Sequence, residues 1–233
     1  MIEYKNHIDM FSLEGSSWFS KLTLESEWGD VSLAENYLKK YWLSEDEYNL
    51  KWKSIQKEIF TSLDTHLPNL VFREKYMIIA LRGGCLFLKK DFEQLRKCLI
   101  RIGETHLIIV ENTFGNELEE PSFRMKYPST ISWEELTSGN FISSTILEHP
   151  HKEFFVFGAS GNFGKYSAND YEQPLDIIGF KPKYECVFRT QFKQSQEEWE
   201  EIKEWLPPKY NGVLPASKSY NSPSKPLKEN SEK

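Results

Sequence analysis

No run of ~18 consecutive apolar residues occurs anywhere in this 233-residue chain, so the sequence offers no helix of membrane-spanning length. Its first residues, MIEYKNHIDMFSLEGSS, lack a basic stretch followed by an apolar one, and no secretory signal is expected. Cysteine is scarce too. Cys85, Cys98 and Cys186 are odd in number and none sits in a C-x-x-C spacing, which argues against a disulfide framework and against a structural zinc site. Together these absences lead to the expectation of a cytoplasmic protein with reduced thiols and no membrane association. Positive charge is also in deficit: 29 Lys and Arg face 35 Asp and Glu, for a net charge of -6. The stretch from Lys209 onward carries five lysines against Glu229 and Glu232, so the body before it is more acidic than the whole. Nucleic-acid binding rests on Lys and Arg neutralising phosphates, so no nucleic-acid partner is expected; an acidic body suits a basic protein instead.

Aromatic residues, by contrast, are abundant at 15% of the chain, enough to fill a large core or to anchor an interface. Helix starts are marked by four Ser-x-x-Glu pairs in which hydroxyl and carboxylate satisfy each other's free amides: Ser32 with Glu35, Ser44 with Glu47, Ser132 with Glu135, and Ser195 with Glu198. After Ser44 the positions Tyr48, Trp52, Ile55, Ile59 and Leu63 step by three or four, predicting one helical stripe that Pro68 closes. A second stripe, Phe92, Leu95, Leu99 and Ile102, ends at Gly103, and a third, Trp199, Ile202 and Leu206, stops at Pro207. Strand-like runs lie between them: SWFSKLTL near residue 20, KYMIIAL at 75–81, HLIIVENTF at 106–114, EFFVFG at 153–158 and PLDIIGF at 174–180. The irregular mixture of helices with hairpin-like pairs predicts an α+β fold, mostly an antiparallel sheet with flanking helices. Residues 1–210 are expected to form a single domain, and 211–233, poor in apolar residues, a disordered tail.

One segment makes a chemical claim of its own. FFVFGASGNFGK runs an apolar strand into Gly158, Gly161 and Gly164, and G-x-x-G-x-x-G in that position resembles the first loop of extended and atypical short-chain dehydrogenases. A dinucleotide cradle needs a helix after the last glycine, whose amides and dipole meet the pyrophosphate. Here KYSANDYEQP follows, with no apolar stripe and with Pro174 closing it. A P-loop fails on spacing, and Tyr166 stands where Ser or Thr would bind magnesium. The favoured reading is a β-hairpin: Phe154 to Phe157 as one strand, Gly158 to Gly164 as a turn whose glycines supply positive φ, and a second strand from about Lys165. An NAD(P)-binding oxidoreductase using the glycines is kept as the alternative, and no cofactor is expected on the favoured reading.

Other groupings are weaker. His149 and His151 are two residues apart beside Glu148 and Glu153, a partial ligand set that no second cluster completes, so no metal is expected. Asp170, Glu172 and Asp176 fall near Tyr166 and Tyr171, a spacing open to acid–base chemistry, with a solvated turn as the favoured reading. No Ser-His-Asp or Cys-His arrangement is specified, and the chain is not expected to be an enzyme. On the last helix, Glu197, Glu200, Glu201 and Glu204 make the side opposite Trp199 strongly acidic.

Trp52, Leu67 with Pro68, Tyr76, and Gly83 with Gly84 come in an order that resembles the SMI1/KNR4 (SUKH) superfamily. VFGASGNFGKYSAND is similar to the hairpin region of that superfamily, and YECVFRTQF to its closing amphipathic segment, so the resemblance covers about 44–193. Arg82 departs from the Asn usual before the paired glycines. The resemblance implies a non-catalytic α+β module, and many bacterial members of that superfamily are immunity proteins that bind and neutralise a cognate toxin, often a nuclease. The expectation is therefore a bacterial protein-binding module that masks a basic toxin domain. Its expected contact residues are Phe163, Tyr166, Asp170 and Tyr171 at the hairpin, with Glu200 and Glu204 as steering charge. A regulatory interaction protein without a toxin partner is the other reading.

Overall fold

Residues 31–83, 86–112, 123–138, 153–168 and 174–216 are described in the computed structural model of the chain. They form an α+β fold around one six-stranded sheet, with every neighbouring pair antiparallel and the strands in the order β1-β6-β5-β4-β2-β3. The strands are β1 (Met77–Arg82), β2 (His106–Glu111), β3 (Arg124–Pro128), β4 (Phe154–Gly158), β5 (Phe163–Ala168) and β6 (Leu175–Phe180). Six helices flank them. Helix α1 is Val31–Tyr41; α2 is continuous through Glu45–Glu47, a π-helical stretch Tyr48–Trp52, and Lys53–Ile59. Then come α3 (Lys89–Arg101), α4 (Trp133–Leu136), α5 (Glu185–Gln191) and α6 (Gln196–Trp205).

Side chains alternate across a strand, so runs such as Leu107–Ile108–Ile109–Val110 and Phe154–Phe155–Val156–Phe157 are apolar throughout only if both faces of the sheet are covered. Both are. Leu107, Ile109, Phe154, Val156, Ile178 and Phe180 face a core shared with Tyr37 and Leu38 of α1, Phe92 and Leu95 of α3, and Phe188 of α5. Ile108, Val110, Phe155, Phe157 and Ile177 face a second core with Trp52 and Ile59 of α2 and Trp199 and Ile202 of α6. Each fully buried Phe or Leu contributes about 1.5–3 kcal/mol, so the abundant aromatics work chiefly as core.

Capping marks the start of α2, α4 and α6 and the end of α3. Ser44 and Ser132 accept bonds from the amides of Glu47 and Glu135, and Ser195 forms the complete reciprocal box with Glu198. Helix α3 closes at Gly103, whose φ of 72° allows the Glu104 amide to reach back to the Leu99 carbonyl and the Gly103 amide to that of Ile100. The stripe through Tyr48, Trp52, Ile55 and Ile59 is helical, but α2 ends at Ile59, well before Pro68. Phe60 is extended and pairs with Phe72 across a short bridge, which draws the chain out of the helix and leaves Leu63 beyond it. Ser32 lies inside α1 instead of capping it. The expected strand near residue 20 falls outside the described residues. The tail boundary at residue 211 is corrected: Ala216 is buried, its amide held by the Gln194 side chain, and the Pro215 carbonyl accepts a bond from Arg189. Among the described residues no helix is long and apolar enough to cross a membrane.

Candidate functional site

The glycine segment is a hairpin. Phe157 of β4 stands opposite Gly164 of β5, and the intervening turn is closed by a bond from the Gly161 amide to the Gly158 carbonyl. No helix follows; β5 continues to Ala168 and pairs antiparallel with β6. Of the three glycines only Gly161, at φ 64°, requires the left-handed region. The other two are dictated by packing, which corrects the expectation that all three supply positive φ. A Cβ on Gly158 would lie 2.4 Å from the Glu104 carboxyl carbon, because that carboxylate accepts from the Ser160 amide and hydroxyl and fastens the turn. A Cβ on Gly164 would meet Ile59 at 2.8 Å and Phe60 at 2.9 Å.

This geometry overturns two of the expected contact residues. Phe163 and Tyr166 have no exposed surface and belong to the cores on opposite faces of the sheet. Phe163 stacks at 6.3 Å from Phe188, and the Tyr166 hydroxyl donates to Glu153. Burial and the neighbouring Glu153 carboxylate hold the Tyr166 phenol well above its usual range. Both faces of β5 are covered by packed elements, so side chains on either face are buried and neither residue is a surface anchor. Asp170, Tyr171, Glu172, Glu148, His149 and His151 lie outside the described residues.

On the face of β5 that looks toward α3 sits a polar group within the core. Lys165 Nζ donates to Ser167 Oγ at 2.7 Å, to the Leu86 carbonyl at 2.7 Å and to Asp176 Oδ1 at 2.9 Å, and it lies 5.1 Å from the Phe87 ring centroid. The Ser167 hydroxyl donates to Asp176, its partner in the β5–β6 register. Burial drives the Asp176 carboxyl upward, while Lys165 and Ser167 oppose that shift. A hydroxyl between an amine and a carboxylate is chemically suited to nucleophilic work, yet Ser167 has no exposed surface, so no substrate reaches it. The group is a buried ion pair with its donors satisfied. Lys165 and Asp176 were each visible in the sequence, but only the strand register brings them together. Asp91, in the first turn of α3, is raised by burial and drawn the other way by Lys165 and Lys90.

A cleft of about 230 Å³ lies between β1, α3 and α6, lined by Arg82, Asp91, Gln94, Lys193, Gln194 and Glu198 among others. Helix α6 forms one wall. Trp199 and Ile202 turn inward, while Glu197, Glu198, Glu200 and Glu204 are exposed. Glu201 pairs with Arg82 at 3.5 Å, and the Arg82 guanidinium lies over the Trp205 ring. Glu200 and Glu204, named from sequence as steering charge, are thus on the surface together, and Lys203 at 3.9 Å from Glu200 is the helix's one basic residue. Comparison with protein-family models, with curated proteins and with solved structures gives no match to this chain.

Proposed function

We propose that this chain is a cytoplasmic protein-binding module that recognises a basic partner through α6, acting as an immunity protein that neutralises a toxin by masking its surface. The observation that carries the reading is the division of α6 into two sides. Its apolar side locks it onto the sheet through Trp199 and Ile202, and its capped start fixes its orientation. Five glutamates against one lysine are thereby held in fixed positions, where they raise the rate of encounter with a cationic surface. The net charge of -6 and the resemblance to the SMI1/KNR4 superfamily support the same reading.

The test is to capture the partner with the tagged chain in the source cell and to measure association with the purified partner. Reversing Glu200→Lys and Glu204→Lys together slows association and flattens its dependence on salt. An unchanged on-rate removes α6 from the interaction. A captured partner with no toxic activity favours a regulatory interaction protein using the same face.

A further inference from the structure

The last described residue, Ala216, lies beside the acidic helix. Its amide is bonded at 3.1 Å to Gln194 Oε1, and the same side chain reaches the Ala80 carbonyl of edge strand β1 at 3.1 Å. Gln194 and Glu198 line one cleft, so the bond to Gln194 anchors Ala216 near the first turn of α6. The residues that follow are basic in sequence: 217–233 carry Lys218, Lys225, Lys228 and Lys233 against Glu229 and Glu232. Helix α6 has ten residues and is about 15 Å long, whereas seventeen residues of chain reach roughly 55 Å when extended. Every glutamate of α6 is within that reach.

We infer that the C-terminal segment 217–233 is an intramolecular competitor for the acidic face of α6, occupying in cis the place that a basic partner takes in trans. The inference rests on the proposed reading of α6 as the partner face. A tether this short gives an effective concentration in the millimolar range, so weak exposed charge pairs suffice to compete with an incoming ligand. The segment then acts as a selectivity filter, because weakly basic proteins are turned away while a partner with several well-placed cations displaces it. Salt weakens both interactions, and the competition fades together with the attraction that it opposes.

The probe is fluorescein-labelled octalysine, and the readout is anisotropy at low and at physiological salt. It is measured for the full chain, for a chain ended after Ala216, and for both in a Glu200→Gln/Glu204→Gln background. Ending the chain after Ala216 tightens octalysine binding by roughly two- to fivefold at low salt, and the difference vanishes at high salt. In the Gln background binding weakens and the difference between the two lengths disappears. A difference that persists in the Gln background reflects overall charge alone and overturns the inference. Equal binding by the two lengths, or tighter binding by the full chain, also overturns it and leaves the α6 reading standing if the Gln background still weakens binding. Binding unaffected by the Gln substitutions defeats the α6 reading itself.

Discussion

Gly164 of β5 and Gly179 of β6 stand directly opposite one another, and the Phe72 ring fills the hollow that their missing side chains leave. A Cβ on Gly179 would lie 2.3 Å from that ring, and Phe72 in turn packs at 5.0 Å from Phe60. The Gly164–Gly179 pair thus answers to aromatic packing and Gly161 to backbone conformation, so these glycines should differ in what they tolerate. Gly179→Ala forces the Phe72 ring to move and is expected to cost about 1–3 kcal/mol. Gly161→Ala, whose Cβ finds nothing closer than 3.5 Å, carries only left-handed backbone strain, about 1–2 kcal/mol. Urea unfolding of both variants checks the order. Millimolar NAD, NADP or ATP is expected to leave the melting temperature of the native chain unchanged; a concentration-dependent rise would restore the loop as a cofactor site.

The buried pair gives a second test. Lys165→Met leaves Asp176 without its cation and should destabilise by about 3–5 kcal/mol at neutral pH. An isolated buried carboxyl has a folded pKa above its unfolded one, so its stability is present below the unfolded value and is lost as pH rises through the folded value. Lys165→Met therefore recovers part of its loss in acid. Lys165→Met/Asp176→Leu, which removes both charges, should recover much of it at every pH. Equilibrium unfolding across pH measures both effects, and a pH-independent loss would show that the pair acts by shape alone.

At the surface beside the hairpin, Glu58 holds Lys75 at 3.0 Å and Lys181 at 3.6 Å, and the bond from Lys75 pulls its carboxyl below the usual range. With a depressed pKa the unfolded chain binds the proton first, so this stabilisation is present above the unfolded value and lost as pH falls through the folded one. The groups are half exposed, which limits the effect to under about 1 kcal/mol. Glu58→Gln should be slightly less stable than the native chain near neutrality and indistinguishable from it in acid, as read by paired thermal melts.

Tyr210 fixes the segment after α6: its hydroxyl accepts from the Val71 amide at 2.9 Å and donates to the Asn69 carbonyl at 2.8 Å. Tyr210→Phe strands a buried amide and is expected to cost about 1–3 kcal/mol. Hydrogen exchange should then speed up at Val71 with little change in β4. Exchange that rises uniformly would indicate global destabilisation instead.

Sequence determined the elements whose signal is local. Ser44, Ser132 and Ser195 each cap a helix because the bond they make spans three residues, and Gly103 ends α3 because only the backbone of that residue decides the turn. The runs in β1, β2, β4 and β6 are legible because a strand covered on both faces is apolar along most of its length. Local pattern also favoured the hairpin over a cofactor loop, since no helical stripe follows Gly164. Strand β3, with Pro128 at its end, lacks such a run and is a strand through its register with β2. Tertiary structure alone decided the rest. Strand alternation fixes only relative sides, so the inward placement of Phe163 and Tyr166 depends on which elements cover each face. The ion pair of Lys165 with Asp176 needs the β5–β6 register, and the end of α2 at Ile59 needs Phe72 as the partner of Phe60. Those contacts join residues far apart in the chain, and their free energy is gained only once the sheet is assembled.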